Sequence, residues 1–279
     1  MRSVPLVWVA LSLIHAAGVT SASDLVYPRS VAVDGKGFIY VADAGSRTVL
    51  KFDGKGGPPT VLARGEGTYR TPLYALTGIA VTPNGDVAVS DTGSSNVYRI
   101  VGGKPIPIAN SDPNKSPFGL PQALAFDASG DLIVPDQGMN TVWRVSGDRV
   151  TKIASVETPT GATVDRSGNI IVVSITGRLY RIEREGKVTI IAQGPPFQNP
   201  LAVALHHAGG YVVADNYARA LFKVSPEGKV SVLANGEPFQ NPNSVAAEPD
   251  GGFIVADPNA RKIFRVSPEG TVTVVYSAK

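Results

Sequence analysis

The segment YPRSVAVDGKGFIYVADAGSRTVLKF runs from Tyr27 to Phe52, and NPNSVAAEPDGGFIVADPNARKIFRV runs from Asn241 to Val266. Both contain, in the same order, a proline-led apolar strand, a turn that ends in glycine, an apolar strand that ends on aspartate, and a third strand with a base between two hydrophobes. Because the two segments lie at opposite ends of the chain, they indicate an internal repeat, and a repeat of this kind sets the whole architecture.

The same markers occur six times between these limits, always in the same order. The turn glycines are Gly37, Gly85, Gly130, Gly168, Gly209 and Gly251. The strand-ending residues are Asp43, Asp91, Asp136, Ser174, Asp215 and Asp257. The bases of the third strand are Lys51, Arg99, Arg144, Arg181, Lys223 and Arg265. A fourth apolar segment closes each unit, as in Val61-Leu62-Ala63 and Val232-Leu233-Ala234.

The segments between the markers have the composition of strands and turns. They are short runs rich in Val, Ile, Tyr and Phe, bounded by Gly, Pro, Asn and Asp. A four-stranded antiparallel unit of about 42 residues, repeated six times, is typical of a propeller blade. A sandwich rarely has so regular a period, and a solenoid would need polar capping repeats. We therefore predict an all-β, six-bladed β-propeller of four-stranded antiparallel blades.

The first 22 residues have the parts of a secretory signal. A positive start at Arg2 precedes an apolar run over residues 4–17 and a small-residue exit at Thr20-Ser21-Ala22. The run is shorter than the ~20 residues that span a bilayer, so we expect no stable membrane insertion. We predict a signal peptide over residues 1–22, a single propeller domain over residues 23–279, and export to a bacterial periplasm or the medium.

Composition excludes several function classes. The chain has no cysteine, so thiolate catalysis, thiolate metal sites and disulfides are excluded. The net charge is +3, or +2 without Arg2, and the bases are spread along the chain. Nucleic-acid binding would need a clustered basic stripe, so we predict no nucleic-acid partner. We expect a monomer.

Most of the ionisable residues fit structural roles. An aspartate before a tight turn accepts hydrogen bonds from backbone N–H groups, so the strand-ending aspartates are interpreted as caps rather than as a catalytic set. The base of each third strand is interpreted as an outer residue with a solvated head group. His206 and His207 fall in a turn that we expect to be exposed, without a carboxylate in register, so we do not assign them a site.

The repeat resembles the NHL repeat over residues 27–276, and the blade with Ser174 departs from that pattern. Propellers of similar fold in the gluconolactonase and senescence-marker group hold a divalent ion at the channel mouth with Glu, Asn and Asp side chains. The resemblance places six residues of this chain at the equivalent positions, and of these only Asn243 matches such a ligand: Arg29, Thr77, Gln122, Thr160, Leu201 and Asn243. The similar streptogramin lyases rely on histidines near the channel, and this mouth has none.

Two long connections between blades differ from the repeat. Residues 64–76 contain Tyr69, Arg70 and Tyr74, and residues 110–121 contain Phe118. Unrepeated loops on a rigid scaffold are where binding usually occurs. Phe197 and Phe239 lie in two loops that nearly repeat each other, so they are interpreted as plugs between blades.

We therefore predict a non-catalytic recognition module that binds a peptide, glycan or small anionic ligand over the channel mouth. The predicted ligand-binding residues are Arg29, Tyr69, Arg70, Tyr74, Phe118, Gln122 and Asn243. We predict no catalytic residue, no metal site and no cofactor. The alternative is a metal-dependent lyase or hydrolase of the gluconolactonase-like or streptogramin-lyase-like propeller class. For Arg29 two partners are considered: a carboxylate of Asp43 or Asp257, or the anionic group of the ligand.

Overall fold

The fold is an all-β ring of six four-stranded antiparallel sheets. The computed structural model describes residues 25–109 and 116–278. The predicted signal peptide lies outside these ranges, as do residues 110–115 of the loop that contains Phe118. No helix in the described ranges has the length and apolarity needed to cross a bilayer.

Each blade is formed by four consecutive strands. Blade 1 contains β1 (Pro28–Val33), β2 (Ile39–Asp43), β3 (Thr48–Phe52) and β4 (Thr60–Arg64); blade 2 contains β5 (Leu76–Val81), β6 (Val87–Asp91), β7 (Asn96–Val101) and β8 (Lys104–Pro107); blade 3 contains β9 (Ala125–Phe126), β10 (Leu132–Asp136), β11 (Thr141–Ser146) and β12 (Arg149–Ser155). Blade 4 contains β13 (Pro159–Val164), β14 (Ile170–Ser174), β15 (Arg178–Ile182) and β16 (Val188–Gln193); blade 5 contains β17 (Pro200–Leu205), β18 (Tyr211–Asp215), β19 (Ala220–Val224) and β20 (Val230–Asn235); blade 6 contains β21 (Ser244–Ala247), β22 (Phe253–Asp257), β23 (Lys262–Val266) and β24 (Val272–Ser277).

The core lies between the blades rather than at one centre. Apolar clusters fill the spaces between neighbouring sheets all the way round the ring. The second strand of each blade is buried along its whole length. Each sheet therefore buries both faces against its neighbours, which is why its inner strands are nearly continuous hydrophobes.

The innermost strand of blade 3 is much shorter than the sequence predicts. Only Ala125 and Phe126 pair with β10, and an isolated bridge joins Pro121 to Asp136. The carbonyl of Pro135 accepts a 2.8 Å hydrogen bond from the Gln122 amide. In an antiparallel pair, the N–H at position 135 would point to the same side of the strand as the carbonyl at that position. Proline has no N–H, so the hydrogen-bond ladder between β9 and β10 is interrupted there.

Within the described ranges the ring closes by packing, and no sheet contains strands from both blade 1 and blade 6. Blade 6 packs on blade 1 through an apolar cluster that includes Leu25, Phe52 and Ile263. Phe52 and Tyr276 meet edge to face at 4.8 Å. The Arg261 guanidinium donates two hydrogen bonds, of 3.1 and 3.0 Å, to the carbonyl of Leu25.

Candidate functional site

The six residues that were placed at the channel mouth from the sequence lie at or just before the starts of the innermost strands, and they converge on the central channel. They line one cavity together with the small residues that follow some of them: Arg29, Ser30, Thr77, Gln122, Ala123, Thr160, Leu201, Ala202, Asn243 and Ser244. The cavity has a volume of about 30 Å³, which is room for about one water molecule. A larger ligand must therefore lie over the mouth and not inside this part of the channel.

The small residues around the channel also join the blades. The Thr77 hydroxyl donates to the Pro121 carbonyl at 2.9 Å, and the Thr160 hydroxyl donates to the Pro200 carbonyl at 3.2 Å. At the junction of blades 6 and 1, the Val31 amide donates to the Ser244 hydroxyl at 3.1 Å. The small side chains of the inner strands thus form hydrogen bonds between neighbouring blades, and they also fit the narrow space where the blades converge on the channel axis.

Arg29 is half-buried, and burial lowers the pKa of its guanidinium while Tyr27 acts in the opposite direction. Within the described part of the chain it makes no ion pair, so the strut to Asp43 or Asp257 does not form. The carboxylates of Asp43 and Asp257 are fully buried and accept hydrogen bonds from backbone N–H groups instead. The guanidinium keeps its donors for another partner.

The strand-ending aspartates are caps, as interpreted from the sequence. Asp136 accepts hydrogen bonds from the amides of Gly119 at 2.8 Å, Leu120 at 2.9 Å and Met139 at 3.1 Å. Asp43, Asp91, Asp215 and Asp257 repeat the arrangement. Most of these donor amides lie 16 or 17 residues before the aspartate, and the others lie two or three residues after it. Each carboxylate therefore holds the loop that enters its blade.

The two unrepeated loops form a second cavity on the face where the innermost strands begin. Its volume is about 470 Å³, and Tyr69, Arg70 and Phe118 line it with Leu120. The other described lining residues are Thr92, Gly93, Ser94, Ser95 and Ser116. The cavity thus offers an aromatic ring, a guanidinium and several hydroxyls. We call it the loop cavity.

The predicted loop residues contribute to the loop cavity unequally. Tyr69 is 64% exposed, whereas Phe118 is 5% exposed and packs in the core between blades 2 and 3. Phe118 can therefore present only part of its ring. Tyr74 does not line the cavity; its ring meets that of Tyr69 edge to face at 5.7 Å, with the guanidinium of Arg47 4.9 Å from its centroid.

Gln122 lies between the channel mouth and the loop cavity. Its side-chain amide donates to the Gln137 side-chain oxygen at 3.2 Å and more weakly to the carbonyl of Leu120, which lines the loop cavity. The side-chain oxygen of Asn243 is buried in the channel lining without a hydrogen-bond partner among the described residues. Phe197 and Phe239 are buried between blades, each edge to face with another phenylalanine, as interpreted from the sequence.

The channel lining does not fit a divalent cation. A hard cation takes six to eight oxygen ligands with negative charge among them. The described lining residues include no carboxylate, and the guanidinium of Arg29 would repel the ion. Elsewhere in the described ranges no group of three or more His, Asp or Glu side chains is placed to hold a metal.

Sequence reasoning missed a cavity on the opposite face. The expectation that the His206–His207 turn is exposed is wrong for His206, which is 7% exposed. His206 lines a cavity of about 410 Å³, with carboxylates of other blades, Asp165 and Glu248, on its walls. The turn approaches blades 4 and 6 only when neighbouring blades pack, and the repeat pattern does not indicate which side chains this packing buries.

Solved structures of known proteins share this architecture. A virginiamycin B lyase from Staphylococcus aureus is 13% identical with a TM-score of 0.69, and the match covers 93% of this chain and 87% of that one. A gluconolactonase from Xanthomonas campestris is 13% identical with a TM-score of 0.71, over 91% and 88% of the two chains. A chain of a nidogen–laminin complex is 15% identical with a TM-score of 0.66, over 84% and 97%.

No protein-family model matches this sequence, and no curated protein does. The six-bladed β-propeller with streptogramin-lyase and gluconolactonase-like neighbours is the class that the fold defines. At these identities the likeness establishes the fold alone, because propellers with unrelated functions share it.

Proposed function

We propose that this protein is an exported, non-catalytic recognition module that binds its ligand in the loop cavity, over the mouth of the central channel. The lining of that cavity is the observation that carries the proposal. Its described residues combine an exposed aromatic ring, a guanidinium and four hydroxyl side chains beyond the tyrosine, and include no carboxylate or histidine. Such a set can hold a ligand by stacking and hydrogen bonds but lacks the usual general acids and bases.

The charge of the site favours an anionic ligand, such as a small acid, an acidic glycan or an acidic peptide. Arg70 is exposed on the rim of the loop cavity, and Arg29 at the channel mouth has no ion-pair partner in the described part of the chain. A guanidinium grips a carboxylate or a phosphate through two parallel N–H bonds. Arg29 and Arg70 are the residues proposed to orient the ligand.

The test is a thermal-shift and calorimetric screen of sugar acids, small carboxylates and short acidic peptides on the mature chain. Any ligand found should lose affinity on Arg70→Ala and on Tyr69→Ala, because each change removes a contact from the loop cavity. Tyr217→Ala is the matched control, since Tyr217 is 71% exposed but does not line the cavity. A ligand that binds both loop variants normally would place recognition elsewhere.

The alternative function is a metal-dependent lyase or hydrolase. The structural neighbours include a lyase and a gluconolactonase, but at 13% identity they establish the fold alone. Because the channel lining does not fit a divalent cation, we expect chelator to leave the melting temperature unchanged and a lactonase, esterase and lyase panel to be negative. A calcium-dependent rise of several degrees would support the alternative, since a tightly bound ion stabilises the folded state by mass action.

Export is part of the proposal and has its own test. The motivation is the small-residue exit at Thr20-Ser21-Ala22. The secreted protein should begin at Ser23 or Asp24 when its N-terminus is sequenced. A mature chain that starts at Met1 would contradict export through this segment.

A further inference from the structure

Two cavities adjoin on the face opposite the loop cavity, where the turns between first and second strands lie. The first, of about 410 Å³, lies among blades 4, 5 and 6, and the second, of about 430 Å³, lies along blade 5. His206, Tyr211 and Pro226 line both. We call the pair the histidine groove.

His206 presents an unused donor at the junction of the two cavities. The Ala208 amide donates to its Nδ1 at 3.2 Å, so Nδ1 carries no proton. Burial, Lys223 and His207 lower the pKa of His206, which keeps the ring neutral at pH 7. The single ring proton therefore sits on Nε2, which is buried and has no hydrogen-bond partner among the described residues. A buried N–H without a partner is costly, so the site is suited to an acceptor.

Arg181 supplies a second unused donor on the wall of the first cavity. Its terminal nitrogen reaches the Tyr211 hydroxyl only at 3.4 Å, and its Nε is buried without a partner in the described ranges. In blade 3 the equivalent base, Arg144, faces Asp127 and Asp131 instead. Unlike Arg144, Arg181 forms no ion pair in the described ranges. The hydrogen bond with Tyr211 raises its pKa, and Asp165 and Glu183 are near enough to raise it further.

The carboxylates near the groove are already committed. Asp165 accepts the amides of Ser167 and Asn169 within its own turn, both at 2.9 Å. Glu248 forms a two-pronged pair with Arg265, with both N–O distances 2.8 Å. The second cavity adds Lys223 and Lys229, and its described lining contains no acid. The lining of the groove has a net positive charge, because Arg166, Arg181, Lys223 and Lys229 outnumber Asp165 and Glu248.

The groove also has an apolar side. Leu205 and Ala247 line the first cavity and also the opposite end of the central channel, a cavity of about 230 Å³ whose lining side chains are apolar apart from that of Thr163. An apolar chain that leaves the groove would pass over these two residues towards the channel. Burial of that chain would strengthen binding, because it removes apolar surface from water.

From these contacts we infer that the histidine groove binds a small amphipathic carboxylate. The carboxylate pairs with the Arg181 guanidinium on the wall of the first cavity, and His206 Nε2 donates to it once the ring turns this buried nitrogen towards the cavity. The apolar chain of the ligand lies against Leu205 and Ala247. The histidine groove is separate from the loop cavity. The inference can therefore be correct or wrong independently of the proposed function.

The experiment is calorimetric titration of the full mature chain with sodium decanoate below its micelle concentration, with decanol and acetate as comparison probes. Saturable binding of decanoate alone is expected, because decanol lacks the charged acceptor and acetate lacks the chain. Arg181→Gln and His206→Phe should each weaken decanoate binding about tenfold, the effect of losing one hydrogen bond to a charged group.

Arg99→Gln is the matched control, since Arg99 occupies the same third-strand position in blade 2 but is exposed. It should bind decanoate as the parent does, as should the loop variant Arg70→Ala. If His206→Phe does not fold, Arg181→Gln decides the matter, because its side chain is only half-buried. Equal binding of decanoate and decanol, no saturable binding, or normal binding by the Arg181 variant would overturn the inference.

Discussion

At the residue scale, identical types have different roles according to what surrounds them. Five strand-ending aspartates are saturated by backbone N–H groups, and their repetition is structural. Arg29 and His206 lie at positions where the repeat offers no fixed partner, and each keeps hydrogen-bonding capacity that the described chain does not use. In this protein, a buried or half-buried side chain with an unsatisfied hydrogen-bonding group identifies a candidate site better than the residue type does.

Arg29→Gln should separate binding from folding. Because the guanidinium has no carboxylate partner in the described ranges, its loss should leave the melting temperature nearly unchanged. Binding of an anionic ligand over the channel mouth should weaken by about 1.5–3 kcal/mol, the effect of a charge-assisted hydrogen bond. Calorimetric titration and thermal melts of the same preparation measure both. A less stable variant with normal affinity would make Arg29 a strut between blades 1 and 6.

His206 should make stability depend on pH in the mildly acidic range. Its pKa is lowered by burial, Lys223 and His207, so the unfolded chain takes up this proton near pH 6.5 and the folded protein only at lower pH. Between those values the unfolded state binds more protons, so the free energy of unfolding falls as the pH falls. Urea unfolding at a series of pH values should show this slope reduced in His206→Gln. Parallel curves for the two proteins would contradict the assignment.

At the element scale, the inner strands are limited by how closely the blades approach. A Cβ on Gly78 would lie 2.6 Å from the Gln122 carbonyl oxygen and 2.7 Å from the Ala123 Cα of the next blade. A Cβ on Gly161 would lie 2.7 Å from the carbonyl oxygen of Leu201. These neighbours are backbone atoms, which cannot move without displacing a strand. Glycine at these positions therefore allows the channel to narrow to its observed width.

Gly78→Ala should destabilise the protein by about 1–3 kcal/mol, the usual effect of overfilling a packed interior. Gly35→Ala is the matched control, because Gly35 has an ordinary backbone conformation and the nearest atom to an added Cβ is 3.6 Å away. Urea denaturation of the two variants measures the difference. Equal midpoints would show that the inner strands of blades 2 and 3 can separate without cost.

At the scale of the whole molecule, stability depends on the junction of blades 6 and 1. Every sheet is built from consecutive strands, so no strand exchange fastens the two ends of the described chain. The junction instead relies on apolar packing around Leu25, on Arg261 and on the hydroxyl of Ser244. Residues at the start of the described chain lie outside any strand, but they therefore contribute to the stability of this junction.

Leu25→Ala should lower the free energy of unfolding by about 2–5 kcal/mol, because Leu25 is fully buried at this junction. Val26→Ala is the control: Val26 is 45% exposed, so its truncation should change stability by less than about 0.5 kcal/mol. Thermal and urea unfolding of both variants would test this. A Leu25 variant as stable as the control would mean that the ring closes without this residue.

Much of the fold was determined by the sequence alone. Strand periodicity, turn glycines, prolines and capping aspartates act over a few residues, so six repetitions of the same local pattern predict six blades and the residues that ring the channel. The shortened β9 was not predicted, although Pro135 carried the signal, because the missing N–H matters only once its side of the ladder is known.

The candidate sites were decided by tertiary structure. Tyr69, Arg70 and Phe118 were predicted and do line one cavity, but the burial of Phe118 and the removal of Tyr74 from the lining follow from packing between blades. The burial of His206 depends on residues of the two neighbouring blades, and Arg29, which has no ion-pair partner in the described ranges, lines a channel to which all six blades contribute. Cavities between repeats depend on how the side chains of neighbouring blades pack, and a local pattern that is the same in every blade carries no information about that packing.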